Sequence, residues 1–130
     1  MFTDEEMIAR IRRHAENWSS GDAEAVAGFY AENTVSAHNG GEPIVGRPGI
    51  LEMVKSFMGD VPDLHLRCDD AQAVGRNGLM VWTLEGTYAS TGRSVSLPGW
   101  EEMEFTEDGL IAASRGRYDN DDYEQQANGS

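Results

Sequence analysis

The spacing of apolar residues along the chain changes near Pro62, from a mainly helical repeat to a strand repeat. Up to residue 60, the apolar positions recur every three or four residues, which predicts amphipathic helices. After Pro62 they alternate with polar positions, which predicts strands that bury one face. At 130 residues, the chain is expected to form one domain in which the helices pack on a sheet.

Two helices are predicted at the N-terminus. The first is capped by Thr3 or Asp4, and Glu6 can complete a capping box with Thr3. This helix is expected to end at Gly21. The second helix follows directly, with Asp22 as its cap.

The remaining elements follow from the same patterns. The second helix is expected to continue through Tyr30, and a short strand is predicted over residues 33–38. The third helix has Pro48 in its first turn and is expected to end at Gly59. Turns such as the one at Asn77 and Gly78 then separate four strands that form an antiparallel meander. These strands are expected around residues 64–68, 79–88, 97–105 and 110–118.

The predicted fold class is α+β. Three N-terminal helices wrap one face of a curved antiparallel sheet and enclose a pocket. The single domain is expected to occupy residues 1–127, with residues 128–130 as a frayed tail.

One acidic residue interrupts the apolar face of the third meander strand. Alternate residues share a face, so Glu101 falls between Leu97 on one side and Met103 and Phe105 on the other. A carboxylate is costly to bury without a partner, which indicates a polar network or a functional pocket. The alternative is a different strand register, or a sheet surface on which Glu101 lies in water.

The charge of the chain restricts its partners. The net charge is −13, so phosphate backbones and anionic lipid headgroups would repel the protein. Neither nucleic acid nor a membrane is therefore expected as a partner. The single cysteine, Cys68, excludes an intrachain disulfide and is expected to be buried and inert. Together with an N-terminus unlike a signal peptide, it favours a cytoplasmic location.

Four segments carry a resemblance to a known superfamily. They are residues 21–35, the pair Gly46-Arg47, the pair Gly86-Thr87 and residues 105–111. With the order of elements, they resemble the nuclear transport factor 2-like superfamily, and within it the SnoaL-like and ketosteroid-isomerase-like proteins. The resemblance covers nearly the whole chain. It implies a cone-shaped α+β fold with a pocket, and a homodimer formed through the outer face of the sheet.

Three polar positions of the ketosteroid isomerases fall on ionisable residues of this chain. The resemblance places their oxyanion-donating tyrosine on His14, their general-base aspartate on His38 and their protonated aspartate on Glu101. No residue type is retained, so the resemblance implies a polar cluster and not the isomerase reaction itself. Limonene epoxide hydrolases are disfavoured, because Gly99 and Gly116 replace two of the three groups that those enzymes use.

Each residue of the cluster has a chemical and a structural interpretation. His38 is the candidate general base, because imidazole accepts a proton near neutral pH, or it is a loop residue in water. His14 is a candidate oxyanion donor, or a hydrogen-bonded histidine of the first helix. Glu101 is a general acid if burial keeps it protonated, or the ionised partner of a charged His38.

Aromatic and sulfur-containing side chains are expected to surround this cluster and to bind a small apolar ligand. The expected binding residues are Trp18, Tyr30, Phe57, Trp82, Met103 and Tyr118. Trp100 has the opposite strand phase and is expected at the dimer contact. No cofactor is expected, and a metal bound by the two histidines and Glu101 is disfavoured because closely spaced ligand motifs are missing.

The sequence leaves three functions open. The first is cofactor-independent proton transfer, as in an isomerase, cyclase or lyase that acts on a ketone or polyketide-like compound. The second is a non-catalytic small-ligand binding or accessory protein with the same pocket. The third, a protein-interaction module, would require an exposed apolar patch beyond the dimer contact.

Overall fold

The computed structural model describes residues 2–129, and within them the chain forms one sheet and four helices. The helices are α1 (Asp4–Ser20), α2 (Ala23–Ala27), α3 (Arg47–Asp60) and α4 (Asn120–Asn128). The strands are β1 (Tyr30–His38), β2 (Ile44–Val45), β3 (His65–Val74), β4 (Asn77–Tyr88), β5 (Arg93–Phe105) and β6 (Ile111–Tyr118). The strand order is β2-β1-β6-β5-β4-β3 in a curved, unclosed sheet, which is the predicted α+β cone.

Both predicted caps of the first two helices form. Thr3 Oγ1 accepts from the Glu6 backbone at 3.1 Å, while Glu6 Oε1 accepts from the Thr3 backbone at 2.9 Å. Gly21 ends α1 at φ 77°, a left-handed conformation that glycine adopts without strain. Asp22 then accepts from the backbone of Ala25 at 3.1 Å and begins α2.

The second helix is shorter than the apolar repeat predicts, and Tyr30 lies in a strand. α2 ends at Ala27, and β1 begins at Tyr30, earlier than predicted. The Phe29 carbonyl accepts from Ile111 N at 2.7 Å, and the Tyr30 carbonyl accepts from Arg47 Nη2 at 2.6 Å and Nε at 3.0 Å. Both carbonyls thus accept from residues outside the predicted helix, so tertiary contacts override the local repeat.

A fourth helix follows the sheet, whereas the sequence predicts only three. Asp119 caps α4 by accepting from Asp122 N at 3.1 Å. Tyr123 and Ala127 are its buried positions. Because these two apolar residues lie in a strongly acidic segment, the pattern resembles a solvated tail, and the helix depends on docking beside β5.

The predicted frayed tail overlaps this helix. Asn128 is the last residue of α4, and Gly129 caps it by donating its backbone N–H to Gln125 O at 2.8 Å. Ser130 lies outside the described residues. The boundary predicted at residue 127 therefore falls inside the last turn of the helix.

The sheet is mixed, whereas the sequence predicts antiparallel pairing throughout. Strands β3 to β6 form the predicted antiparallel meander. β1 joins the free side of β6 in parallel, with Ser36 opposite Ser114 and His38 opposite Gly116. No turn specifies this pairing, because most of the chain lies between the two strands. The pairing brings the N-terminal strand to the sheet position next to the meander.

The core lies between the helices and the inner face of the sheet. α1 packs beside β3, α3 beside β1 and α4 beside β5. Met7, Ile11 and Ala15 of α1 are each no more than 2% exposed, so the helical repeat of this segment marks the buried face. No helix in the described part of the chain is both long and apolar enough to cross a bilayer.

We expect Arg47→Met to destabilise the fold by about 1–3 kcal/mol, because a charged donor to the partly buried Tyr30 carbonyl is lost. Arg115→Met is the matched control. It removes a surface ion pair with Glu102 whose side chains are 69% and 48% exposed, and should cost less than about 1 kcal/mol. Urea unfolding of both variants measures the difference. Equal losses would mean that Arg47 does not hold β1.

Candidate functional site

The strand register places four residues in one row on the inner face of the sheet. His38 of β1 lies opposite Gly116 of β6, Gly116 lies opposite Glu101 of β5, and Glu101 lies opposite Met80 of β4. Residues that face each other across strands project to the same side of a sheet. The row therefore brings the N-terminal His38 to the same surface as Glu101, which the linear sequence separates widely.

Gly116 leaves a gap between the two ionisable side chains. Neighbouring strands are about 4.8 Å apart, so the backbones of His38 and Glu101 are separated by roughly 10 Å. A Cβ atom added to Gly116 would lie 3.5 Å from His38 Cδ2, 3.9 Å from Glu101 Cα and 3.0 Å from the Trp100 carbonyl oxygen. Any larger residue would occupy this space. Gly116, His38 and Glu101 all line one cavity, so a small molecule there borders both ionisable groups.

Glu101 lies inside the protein, as the strand pattern predicts. It is 7% exposed, and Tyr30 donates its hydroxyl to Glu101 Oε2 at 3.3 Å. Burial raises the pKa of Glu101 to about 7, although hydrogen bonds from Ser114 and Tyr30 oppose the rise. At neutral pH, the protonated and ionised forms are therefore both populated.

A short polar network supports this carboxyl group. Ser114, which opposes the rise in the pKa of Glu101, shares a 2.8 Å hydrogen bond with Ser36 Oγ. Tyr30 is 1% exposed, and burial together with the nearby Glu101 raises the pKa of its phenol well above the ordinary value. The phenol stays protonated and acts as a donor to the carboxyl group.

His38 is half-buried beside the cavity and does not lie free in a loop. The next residue, Asn39, donates its backbone N–H to Gly116 O at 2.9 Å, and its side-chain oxygen accepts from Tyr118 N at 2.8 Å. These two bonds hold the end of β1 against β6. Burial lowers the pKa of His38, so its imidazole is neutral at pH 7 and can accept a proton.

His14 lies behind the site rather than in the wall of the cavity. It is 1% exposed and packs against the rings of Phe29 and Tyr30, with centroids 5.4 Å and 5.5 Å away. Neither ring nitrogen has a hydrogen-bond partner, so His14 is not the hydrogen-bonded helix histidine that the sequence allows. Burial lowers the pKa of His14 to about 4. His14 contacts the ring of Tyr30, and Tyr30 in turn contacts Glu101.

A cavity of about 60 Å³ lies over the row and is lined mainly by apolar side chains. Five of the six predicted binding residues line it: Trp18, Tyr30, Phe57, Trp82 and Tyr118. Met103 is buried two residues along β5 from the lining residue Glu101, opposite Ser114, and is not part of the lining.

Other lining residues were not among the predicted binding residues. They include Met53, Leu66, Leu97 and Gly116. Leu66 and Leu97 share the strand phase of inner-face residues, so the period of two contains the signal for them. The importance of Gly116 has no signal in the sequence, because it depends on which strands lie on either side.

Cys68 differs from its expected setting, whereas Trp100 keeps the expected strand phase. Cys68 is only partly buried, because a bulge between Cys68 and Asp70 disturbs the edge strand β3; burial nevertheless raises the pKa of its thiol. Trp100 has the predicted outward phase, with its ring centroid 6.0 Å from the Arg115 guanidinium carbon. Within residues 2–129, no three His, Cys, Asp or Glu side chains are grouped to hold a metal ion.

Comparison with known families agrees with this geometry. The family model for the SnoaL-like domain matches residues 11–114. This range spans most of the chain, from α1 to the centre of β6. The matched range contains His14, His38 and Glu101, and it ends before Gly116 and Tyr118. No curated protein matches the chain significantly.

The two buried ionisable groups should give opposite pH dependences of stability. The folded pKa of His14, about 4, lies below the usual 6.5, so stability falls by about 3 kcal/mol as the pH drops from 6.5 to 4. The folded pKa of Glu101, about 7, lies above the usual 4.5, so stability falls by about 3 kcal/mol as the pH rises from 4.5 to 7.

The variants His14→Leu and Glu101→Gln separate these contributions. Relative to the parent protein, His14→Leu should gain stability as the pH falls, whereas Glu101→Gln should gain stability as the pH rises. Urea unfolding at pH 4.5, 5.5, 6.5 and 7.5 measures both slopes. Parallel profiles for the parent and a variant would show that the replaced group does not titrate abnormally.

Proposed function

We propose that this chain, which belongs to the SnoaL-like domain family, is a cofactor-independent enzyme that moves a proton within a small, largely apolar carbonyl compound. The observation that carries the proposal is the pair formed by His38 and Glu101 across Gly116. One member is a neutral base at pH 7 and the other is a carboxyl group that is partly protonated. Proton transfer requires one group that accepts a proton and one that donates a proton. The different surroundings of His38 and Glu101 provide both.

The proposed reaction begins with the substrate carbonyl oxygen hydrogen-bonded to protonated Glu101. The His38 imidazole removes a proton from the carbon next to the carbonyl, and the electron pair of that C–H bond forms the enol double bond. Glu101 donates its proton to the oxygen. With an unsaturated carbonyl compound, the dienol takes the proton from His38 on a different carbon and the oxygen returns its proton to Glu101, which gives an isomer.

Tyr30 orients the acid in this proposal. Its hydroxyl donates to Glu101 Oε2, so rotation of the carboxyl group is restricted before substrate binds. The apolar wall supports protonation of Glu101 and excludes water that would compete for the carbonyl oxygen. His14 has no direct role, because the ring of Tyr30 lies between it and the carboxyl group.

Exchange of the α-protons of butanone in D2O, followed by NMR, tests the proposal without knowledge of the natural substrate. We expect His38→Ala to slow exchange by about 10²–10⁴-fold, because the base is lost. His65→Ala is the control, since His65 is exposed on β3, outside the cavity wall. The parent rate should fall as the pH rises above about 7, where Glu101 loses its proton, and Glu101→Gln should remove this fall.

The alternative is a non-catalytic protein that binds a small ligand in the same cavity. One observation favours it: His14, the residue aligned with the oxyanion donor, lies outside the cavity wall. In that case, butanone exchange would match the rate in buffer, and His38→Ala would change only ligand affinity. Exchange at the buffer rate together with measurable ligand binding would replace the catalytic proposal with this one.

We also propose that two copies associate through the outer face of the sheet. Val81 is 37% exposed there, and the partly exposed Trp100 lies directly opposite it on β5. Apolar side chains of this size on an exposed sheet face are typical of an interface. Trp100→Glu would place a carboxylate at the contact, so light scattering should give the dimer mass for the parent and the monomer mass for the variant. A monomeric parent protein would rule the dimer out.

A further inference from the structure

The cavity is small, and one side chain fills part of the space between the helices and the sheet. Its volume is about 60 Å³, whereas an engineered cavity that binds benzene has about 150 Å³. The space that remains therefore accepts a molecule smaller than benzene. The proposed function needs a ligand of some size, so the residue that limits the space matters.

The side chain of Trp82 fills the part of this space that is closed to a ligand. It lies on β4 opposite Gly99 of β5, and Gly99 lies opposite Tyr118 of β6. A Cβ atom added to Gly99 would overlap the Cη2 and Cζ2 atoms of the Trp82 ring, so the indole lies across the backbone of Gly99. The Tyr118 ring borders the same space, with its centroid 6.3 Å from that of Trp82.

Trp82 lies next to the row of residues that contains Glu101, so it borders the position that a ligand would occupy. Gly99 and Glu101 are two residues apart on β5 and face the same side, so the indole lies about 7 Å along the strand from the carboxyl position. Trp82 and Glu101 both line the cavity. Trp82 is partly exposed, so its ring borders the cavity and is not enclosed in the core.

We propose that Trp82, lying in the slot that Gly99 leaves open, is the residue that sets the largest ligand this site accepts. The ligand is then a small, predominantly apolar carbonyl compound with fewer heavy atoms than benzene, and bicyclic or larger compounds are excluded. This inference rests on the proposed function for the carbonyl group. The size limit itself depends only on the packing of Trp82, Gly99 and Tyr118.

Binding of the bicyclic ketone 2-tetralone tests the size limit, with Trp82→Ala as the enlarged variant and Trp100→Ala as the matched control. Trp100 is the same residue type and borders the cavity through its carbonyl oxygen beside Gly116. Its ring has the opposite strand phase and lies near Arg115 on the outer face of the sheet, so removal of the ring does not enlarge the cavity. We expect 2-tetralone to bind Trp82→Ala at least about tenfold more tightly than the parent, because a buried ring site becomes free. Trp100→Ala should match the parent protein. Calorimetry measures the three affinities.

A double variant locates the gain. Adding Gly99→Ala to Trp82→Ala places a methyl group in the emptied slot, and should weaken 2-tetralone binding by about fourfold relative to Trp82→Ala alone. If Trp82→Ala does not fold, Trp82→Leu keeps an apolar side chain and still leaves part of the slot open. Circular dichroism verifies folding before the affinities are compared.

Three results would overturn the inference: equal affinity of the parent and Trp82→Ala for 2-tetralone, an equal gain in Trp100→Ala, or no loss on adding Gly99→Ala. The first would mean that the indole moves aside for a large ligand. Failure of the proposed function has a different signature. Butanone exchange at the buffer rate would remove the chemistry, while a 2-tetralone gain confined to Trp82→Ala would still establish the size limit.

Discussion

The burial of one carboxyl group organises this protein. Glu101 lies on the inner face of β5, 7% exposed, where an apolar residue would cost nothing in desolvation. Its pKa of about 7 expresses that cost, since the neutral form is the one that the apolar surroundings accept. The hydrogen bond from Tyr30 offsets part of the cost and orients the carboxyl group. A network of this kind is expensive to maintain, which is why it indicates chemistry or recognition.

Tyr30 connects the parts of the structure around this group. Its carbonyl accepts from Arg47, its ring packs against His14, and its hydroxyl donates to Glu101. The residue thereby links the start of α3, the buried face of α1 and the third meander strand. His14 and Glu101 lie on either side of Tyr30. Both are buried away from water, so each favours its neutral form. Neither His14 nor Glu101 therefore adds much charge near pH 6, although the protein as a whole is strongly acidic.

Two glycines shape the space above the sheet in different ways. Gly116 leaves a gap between His38 and Glu101, where a ligand can reach both groups. Gly99 leaves a similar gap one pleat away, but the Trp82 indole fills it. The missing side chain thus leaves space for a ligand at Gly116, whereas at Gly99 the same space is filled by Trp82. Membership of the SnoaL-like family is consistent with a pocket here, and its size depends on these individual packing choices.

The sequence alone determined which faces are buried. The period of two along β5 placed Glu101 inside, and the capping residues Thr3 and Asp22 fixed where helices begin, because these signals act over a few residues. Tertiary structure decided the rest. The parallel pairing of β1 with β6 brought His38 opposite Gly116 and placed Tyr30 in a strand instead of the predicted helix. The sequence could not predict this pairing, because strand partners that are distant in sequence leave no local pattern. α4 formed for the same reason: its short apolar face is stable only once a folded sheet exists to receive it.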